Sequence, residues 1–296
     1  MKSKFTDLLK PEIIHSMAGL ELIAKVVTEE VLHGLNNSNS LGVGGDFNQY
    51  RSYQPGDDAR QIDWKVYGRS ERYYTKLTER ETHVKVKFLI DLSESMLHQE
   101  SGISKLDYAK VLTASLGFLT YRQGDALGLY GMSDDLIVHP VKSYPQYNHF
   151  LFQLSELQAS GKWINNPYSI NQIYNPKEKE LIVLITDLHQ YDKEIYKAIK
   201  HLKTQRNEIV VLLISGQDER NFNYSGTVVF EELESHKTVK IDVKEVKSIY
   251  LDKYAEQLTD INKELLQLGV DMQEFVMGED MSQAIQLFLT KRKTIR

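Results

Sequence analysis

The sequence contains no cysteine, which excludes disulfides, thiolate zinc sites and a cysteine nucleophile together and fits a reducing compartment. Long apolar runs are also missing. The longest uncharged candidate, residues 111–121, includes Thr113 and Ser115 and falls short of the roughly 18 residues that a membrane-spanning helix needs. Near the N-terminus, Asp7, Lys10, Glu12 and His15 interrupt the chain before a signal-peptide core develops. The expectation is a cytoplasmic protein without direct membrane insertion. Basic excess is absent too: the formal net charge is −5, which argues against a nucleic-acid partner. The short Lys291-Arg292-Lys293 cluster reads as a solvated helix end. Nor is there an internal repeat or a low-complexity tract.

What is present is the composition of a folded chain, with 41% hydrophobic and 26% charged residues over 296 positions. That length suits one large domain, or a medium one with a smaller addition. Residues 10–33 carry apolar side chains at helical spacing, with Pro11 placed to open a helix and Gly34 to end it. The Asn, Ser and Gly of residues 36–46 read as a loop, and residues 47–82 as a small β-rich insert, with strand propensity at 73–77. Beyond residue 83, apolar strand runs alternate with amphipathic helices, and 88–90, 181–185 and 209–214 are continuously apolar. This predicts an α/β domain of doubly wound type, with a mostly parallel sheet covered by helices on both faces. A short extra hairpin is expected at 228–230 and 238–241. The expected division is 1–82 for the helical and β-rich part and 83–296 for the α/β domain.

One buried strand runs into Asp91-Leu92-Ser93-Glu94-Ser95-Met96, and another ends Thr186-Asp187-Leu188. In open α/β sheets ligands bind beyond the carboxyl ends of the strands, where both segments emerge. A carboxylate with two hydroxyls offers hard oxygen donors, and Mg²⁺ takes such ligands while keeping several waters. Asp91, Ser93, Ser95 and Asp187 are therefore candidate ligands of Mg²⁺ or another divalent cation, with Glu94 and Met96 expected to be exposed beside them. The competing reading is that Asp91 and Ser93 merely cap the following helix. The segment resembles the metal-ion-dependent adhesion site of von Willebrand A domains, with Asp91, Ser93 and Ser95 matching its first motif and Asp187 its last. That motif also uses a threonine from an intervening loop. The corresponding stretch here, Gly161-Lys162-Trp163-Ile164-Asn165-Asn166, offers none, which leaves Asn165, Asn166 or Ser169 as substitutes or the site incomplete.

A second constellation spans Arg51, Tyr53, Pro55, Gly56, Asp57, Asp58, Arg60, Ile62, Asp63 and Trp64. Pro55-Gly56 marks a turn, and guanidinium groups flanked by carboxylates suit a rigid, salt-bridged loop, either a structural corner or a partner-binding element. Joined to the Asp-x-Ser-x-Ser strand, and continued by Arg69 and Glu81, this block closely resembles the bacterial DUF58 family, in which it precedes a von Willebrand A-like domain. The resemblance implies association with an AAA+ ATPase of the MoxR type in a chaperone-like or complex-assembly role.

Enzymatic constellations are lacking. Ser93 stands where a haloacid dehalogenase needs its second Asp, no Gly-x-Ser-x-Gly elbow or Walker-type loop occurs, and the nine histidines form no metal-binding pair. The expected function is thus a non-catalytic, metal-dependent protein-binding module. The alternatives are a Mg²⁺- or Mn²⁺-dependent phosphoester hydrolase, with Asp91 and Asp187 as ligands and His189 as base, and a scaffold with a vacant metal site.

Overall fold

The structure is a computed structural model describing residues 8–38, 50–54, 62, 64–76, 84–133, 136–139, 146–163, 170–175, 178–188, 195–231 and 238–295. Contacts divide the chain into two units, one comprising Met1–Leu35 with Val84–Arg296, the other Asn36–His83. The division differs from the one read in the sequence. The N-terminal helices α1 (Pro11–Ile14) and α2 (Met17–Ser38) go with the larger unit, because Ile14, Leu20, Ile23, Val27 and Val31 are all fully buried in its core. Gly34 does not end its helix. It lies inside α2, where a Cβ would stand 2.1 Å from the Gln286 amide, so the glycine permits close approach of a neighbouring helix.

In the smaller unit, β1 (Tyr50–Ser52) and β2 (Tyr74–Lys76) pair antiparallel. Between them is α3 (Trp64–Ser70), a helix in a stretch whose aromatic-rich pattern predicts a β-rich insert. Tyr67 stacks on Tyr73 at 4.5 Å between ring centroids, with Trp64 edge-on to Tyr67 and Tyr53 tilted against Tyr73.

The larger unit continues with β3 (Lys85–Asp91), a 3-10 turn (Glu94–Leu97), a small hairpin β4 (Gln99–Glu100) and β5 (Ile103–Ser104), α4 (Lys105–Arg122), β6 (Ala126–Met132), β7 (Leu136–His139), α5 (Tyr147–Glu156) and β8 (Glu180–Thr186). After these come α6 (Tyr196–Leu202), β9 (Asn207–Ser215), α7 (Gln217–Asn221), the hairpin β10 (Thr227–Glu231) and β11 (Thr238–Asp242), α8 (Val243–Gln267), β12 (Asp271–Val276) and α9 (Met281–Ile295). Six strands form one sheet in the order β12-β9-β8-β3-β6-β7, parallel except for the antiparallel edge strand β7.

The strand period of two distributes the side chains. Phe88 and Ile90 of β3, Val183 and Ile185 of β8, and Val210 and Leu212 of β9 enter one core with α1, α2, α4, α5 and α9. Their neighbours Leu89, Leu184 and Val211 enter a second core with α6 and α8. Each such side chain stabilises the sheet by about 1.5–3 kcal/mol relative to exposure, and continuous apolar runs are the consequence of covering both faces. The arrangement is the doubly wound α/β one that the sequence predicts, a mostly parallel sheet covered by helices on both faces.

Strand order also fixes where a ligand can enter. From β3 the chain first builds outward through β6 and β7, then returns to build the other side through β8, β9 and β12. The reversal lies between β3 and β8, the topological switch point at which open α/β sheets bind ligands.

Candidate metal centre

Asp91 is the last residue of β3 and Thr186 the last of β8. The register pairs Ile90 with Ile185, so Asp91 and Thr186 emerge side by side on the same face of the sheet. The Thr186 hydroxyl donates to Asp91 Oδ2 at 2.6 Å and accepts from the Leu188 amide at 3.0 Å. The other carboxylate oxygen, Oδ1, accepts from both the amide (2.9 Å) and the hydroxyl (2.6 Å) of Ser93. Ser93 Oγ lies 3.0 Å from Ser95 Oγ, which donates to Asp187 Oδ1 at 3.2 Å. Asp91, Ser93, Ser95 and Asp187 thus share one chain of oxygen contacts at the switch point.

The backbone around them is pinned. Leu92 donates to the Met132 carbonyl, Ser160 to Leu92, and Glu94 to Gly161, which brings the loop after α5 against the Asp-x-Ser-x-Ser turn. Met96, expected at the surface, is fully buried in the core. The 3-10 turn rotates it inward while Glu94 stays half-buried.

A lysine joins this cluster. Lys105, the first residue of α4, lies 3.1 Å from Asp187 Oδ2 and 2.7 Å from Glu219 Oε1, with its side chain 5% exposed. Burial alone would lower its pKa, but the charges of Asp187 and Glu219 outweigh burial and hold it above the ordinary lysine value. Asp91 has the opposite problem. Burial, followed by the charge of Asp187, pushes its pKa up to about 7, against the hydrogen bonds from Ser93 and Thr186 that favour the ionised form. Among the described residues, no ion pair to Asp91 occurs.

This donor set fits a hard divalent cation: two carboxylates and the serine hydroxyls offer oxygen only, and a cation would relieve the repulsion between Asp91 and Asp187. Among the described residues no group of three or more His, Cys, Asp or Glu gathers, here or elsewhere, so hydroxyls would have to supply the remaining protein ligands. The sequence pattern does not single out Thr186, Lys105 or Glu219. Two signals were available: Thr186 directly precedes Asp187, and Lys105 places a cation at a helix N-terminus, where the dipole favours an anion.

The second constellation is less fully described. Trp64 opens α3 and is 61% exposed, Tyr53 is half-buried, and Arg51 lies on β1. Gly56, Asp57, Asp58, Arg60 and Asp63 lie outside the described residues, as do His189, Asn165, Asn166 and Ser169. At the C-terminus, Arg292 is more than a solvated helix end: it pairs with Glu208 at 2.7 Å and stacks over the Phe288 ring. No described helix is long and apolar enough to cross a membrane.

The chain is 27% identical over 148 residues to the uncharacterized protein Rv1480 of Mycobacterium tuberculosis, covering 50% of this chain and 47% of that one. It therefore spans about half the length of the curated relatives it matches. Among solved structures, it is similar to BatB of Bacteroides thetaiotaomicron (TM-score 0.48, 17% identity, 71% of this chain and 99% of that one). It is also similar to the SpRpn10 VWA domain (TM-score 0.39, 13% identity, 69% and 94%). The model of the family described as protein of unknown function DUF58 matches residues 49–260, more than half of the chain, and the chain belongs to that family.

Proposed function

We propose that this chain is a non-catalytic protein-binding module that works through a divalent cation, as an accessory to a MoxR-type AAA+ ATPase in cytoplasmic, chaperone-like complex assembly. One observation carries the reading: the oxygen cluster of Asp91, Ser93, Ser95 and Asp187 at the switch point of the sheet. Asp91, Ser93 and Ser95 would hold the ion, with Asp187 closing the far side. When bound, the cation supplies positive charge and a coordination position open to a carboxylate of the partner.

The protein's own residues prepare the site. Thr186 and Ser93 fix both oxygens of Asp91, so its carboxylate is oriented before any ion arrives. Lys105 holds Asp187 and offsets part of the negative charge. The serines keep the cluster low in charge, which suits an exchangeable, shared ligand better than a closed cage of acids. The ATPase as partner rests on the family resemblance of the Arg51 to Trp64 block and on the matched residues 49–260.

Purified MoxR-type ATPase, immobilised without nucleotide, should capture the wild-type chain in Mg²⁺ and capture Asp91→Ala at least about tenfold less well. Unchanged capture by Asp91→Ala, with its fold verified by circular dichroism, would contradict the proposal.

A further inference from the structure

Beside the oxygen cluster, a cavity of about 600 Å³ opens between the end of β9, helix α8 and the hairpin β10–β11. Ser95 and Asp187 form part of its wall, and so belong to both places. The opposite wall is aromatic. Phe222 packs on Tyr250 at 4.5 Å between centroids and on Phe230 at 5.9 Å, and Tyr224 meets Phe230 edge-on at 4.9 Å. Tyr254 is tethered by its hydroxyl to Ser215 at the end of β9.

The hairpin supplies this wall by its alternation. Register places Phe230 opposite Val239 and Val228 opposite Ile241 on one face, and Phe230 and Ile241 line the cavity. Two strands alone are marginal in water. The ribbon is held at its base by the Val243 amide on the Gly226 carbonyl and by the packing of Phe230 on Phe222. It forms a separate two-stranded sheet outside the six-stranded one.

The size suits a large side chain with room for its backbone, since ligand pockets begin at about 300 Å³. Among the charged groups that line the cavity, Lys105 is paired with Asp187 and Glu219, and Glu231 and Lys253 also stand on its wall. Beside these groups, the cavity offers an incoming side chain ring surface next to the metal donors.

We infer that the cavity receives an aromatic side chain of the partner, adjacent in sequence to the acidic residue that meets the cation. The inference rests on the proposed metal-dependent docking and adds the partner's chemistry: an acidic residue flanked by an aromatic one. The acid gives dependence on the ion, and the ring gives selection among acidic segments. Burying one aromatic ring against Phe230, Phe222 and Tyr250 strengthens binding by at least about tenfold.

The full chain is titrated by NMR in Mg²⁺ with two capped tripeptides, Trp-Asp-Trp and Gly-Asp-Gly, which present rings on both sides of the acid or none. The expected result is at least about tenfold tighter binding of the tryptophan peptide. Val246, half-buried on the cavity wall, is then changed to fill the space. Val246→Trp should abolish the preference while leaving the affinity for Gly-Asp-Gly unchanged, and Phe230→Ala should reduce it. Equal affinity of the two peptides, or a preference that survives Val246→Trp, overturns the aromatic site while leaving the metal reading intact. Binding of both peptides that is indifferent to Mg²⁺ and to Asp91→Ala overturns the docking mechanism itself, and the inference with it.

Discussion

Replacing Asp91 by asparagine keeps its shape and removes a charge that burial and Asp187 disfavour. Burial and Asp187 raise the Asp91 pKa from 3.8 to about 7. An acid whose folded value lies above its unfolded one costs nothing below about pH 4, and its penalty grows as pH rises towards 7. Fully developed, the displacement corresponds to a penalty on the order of 4 kcal/mol. Ser93 and Thr186 can rotate their hydroxyls to serve an amide, so most of this should be recovered. In EDTA at pH 8, Asp91→Asn should therefore be more stable than wild type by about 2–4 kcal/mol, and the gap should nearly close at pH 4. Added Mg²⁺ cancels most of the gap, because an ion at 100 times its Kd stabilises only the protein that binds it, by about 2.7 kcal/mol. Urea denaturation followed through Trp163 reports on this unit, since Trp163 is 2% exposed within the second core, and Trp64→Phe silences the other tryptophan. If Asp91→Asn is no more stable at pH 8 in EDTA, or if Mg²⁺ stabilises both proteins alike, the electrostatic description of the site is wrong.

Lys105→Met leaves Asp187 and Glu219 without their shared cation, and should cost about 3–5 kcal/mol in denaturant unfolding; a loss below about 1 kcal/mol would show that the pair is not held as described. Thr186→Val removes one donor to Asp91 without changing volume, and calorimetry should find Mg²⁺ affinity reduced about tenfold or more, whereas an unchanged affinity would deny Thr186 its orienting role. A panel of phosphoesters in Mg²⁺ or Mn²⁺ should show no turnover, and hydrolysis abolished by Asp187→Ala would replace the binding role with an enzymatic one.

The sheet was legible because its central strands are buried on both faces. Residues 88–90, 181–185 and 209–214 are continuous apolar runs, and each lies within β3, β8 or β9. Edges were harder: β7 and α5 carry mixed patterns, and neither stood out. The N-terminal helix was recognised as a helix, but its assignment to the α/β core depends on long-range packing that periodicity does not encode. The site divides in the same way. Asp91, Ser93, Ser95 and Asp187 announce themselves as oxygen donors at strand ends, and the structure brings them together. Lys105 follows β5, and Glu219 lies in α7 beyond β9, so only the folded sheet shows that they meet Asp187. Met96 was misplaced because a hydrophobic residue in a loop-like stretch reads as exposed, whereas the 3-10 turn points it into the core.

Calorimetric titration of Mg²⁺ into the full chain asks whether the oxygen cluster of Asp91, Ser93, Ser95 and Asp187 holds a divalent cation. Saturable binding at a single site is expected for the wild type, and none for Asp91→Ala. Binding that persists unchanged in Asp91→Ala, or no heat from the wild type up to millimolar Mg²⁺, would contradict a cation held at this cluster.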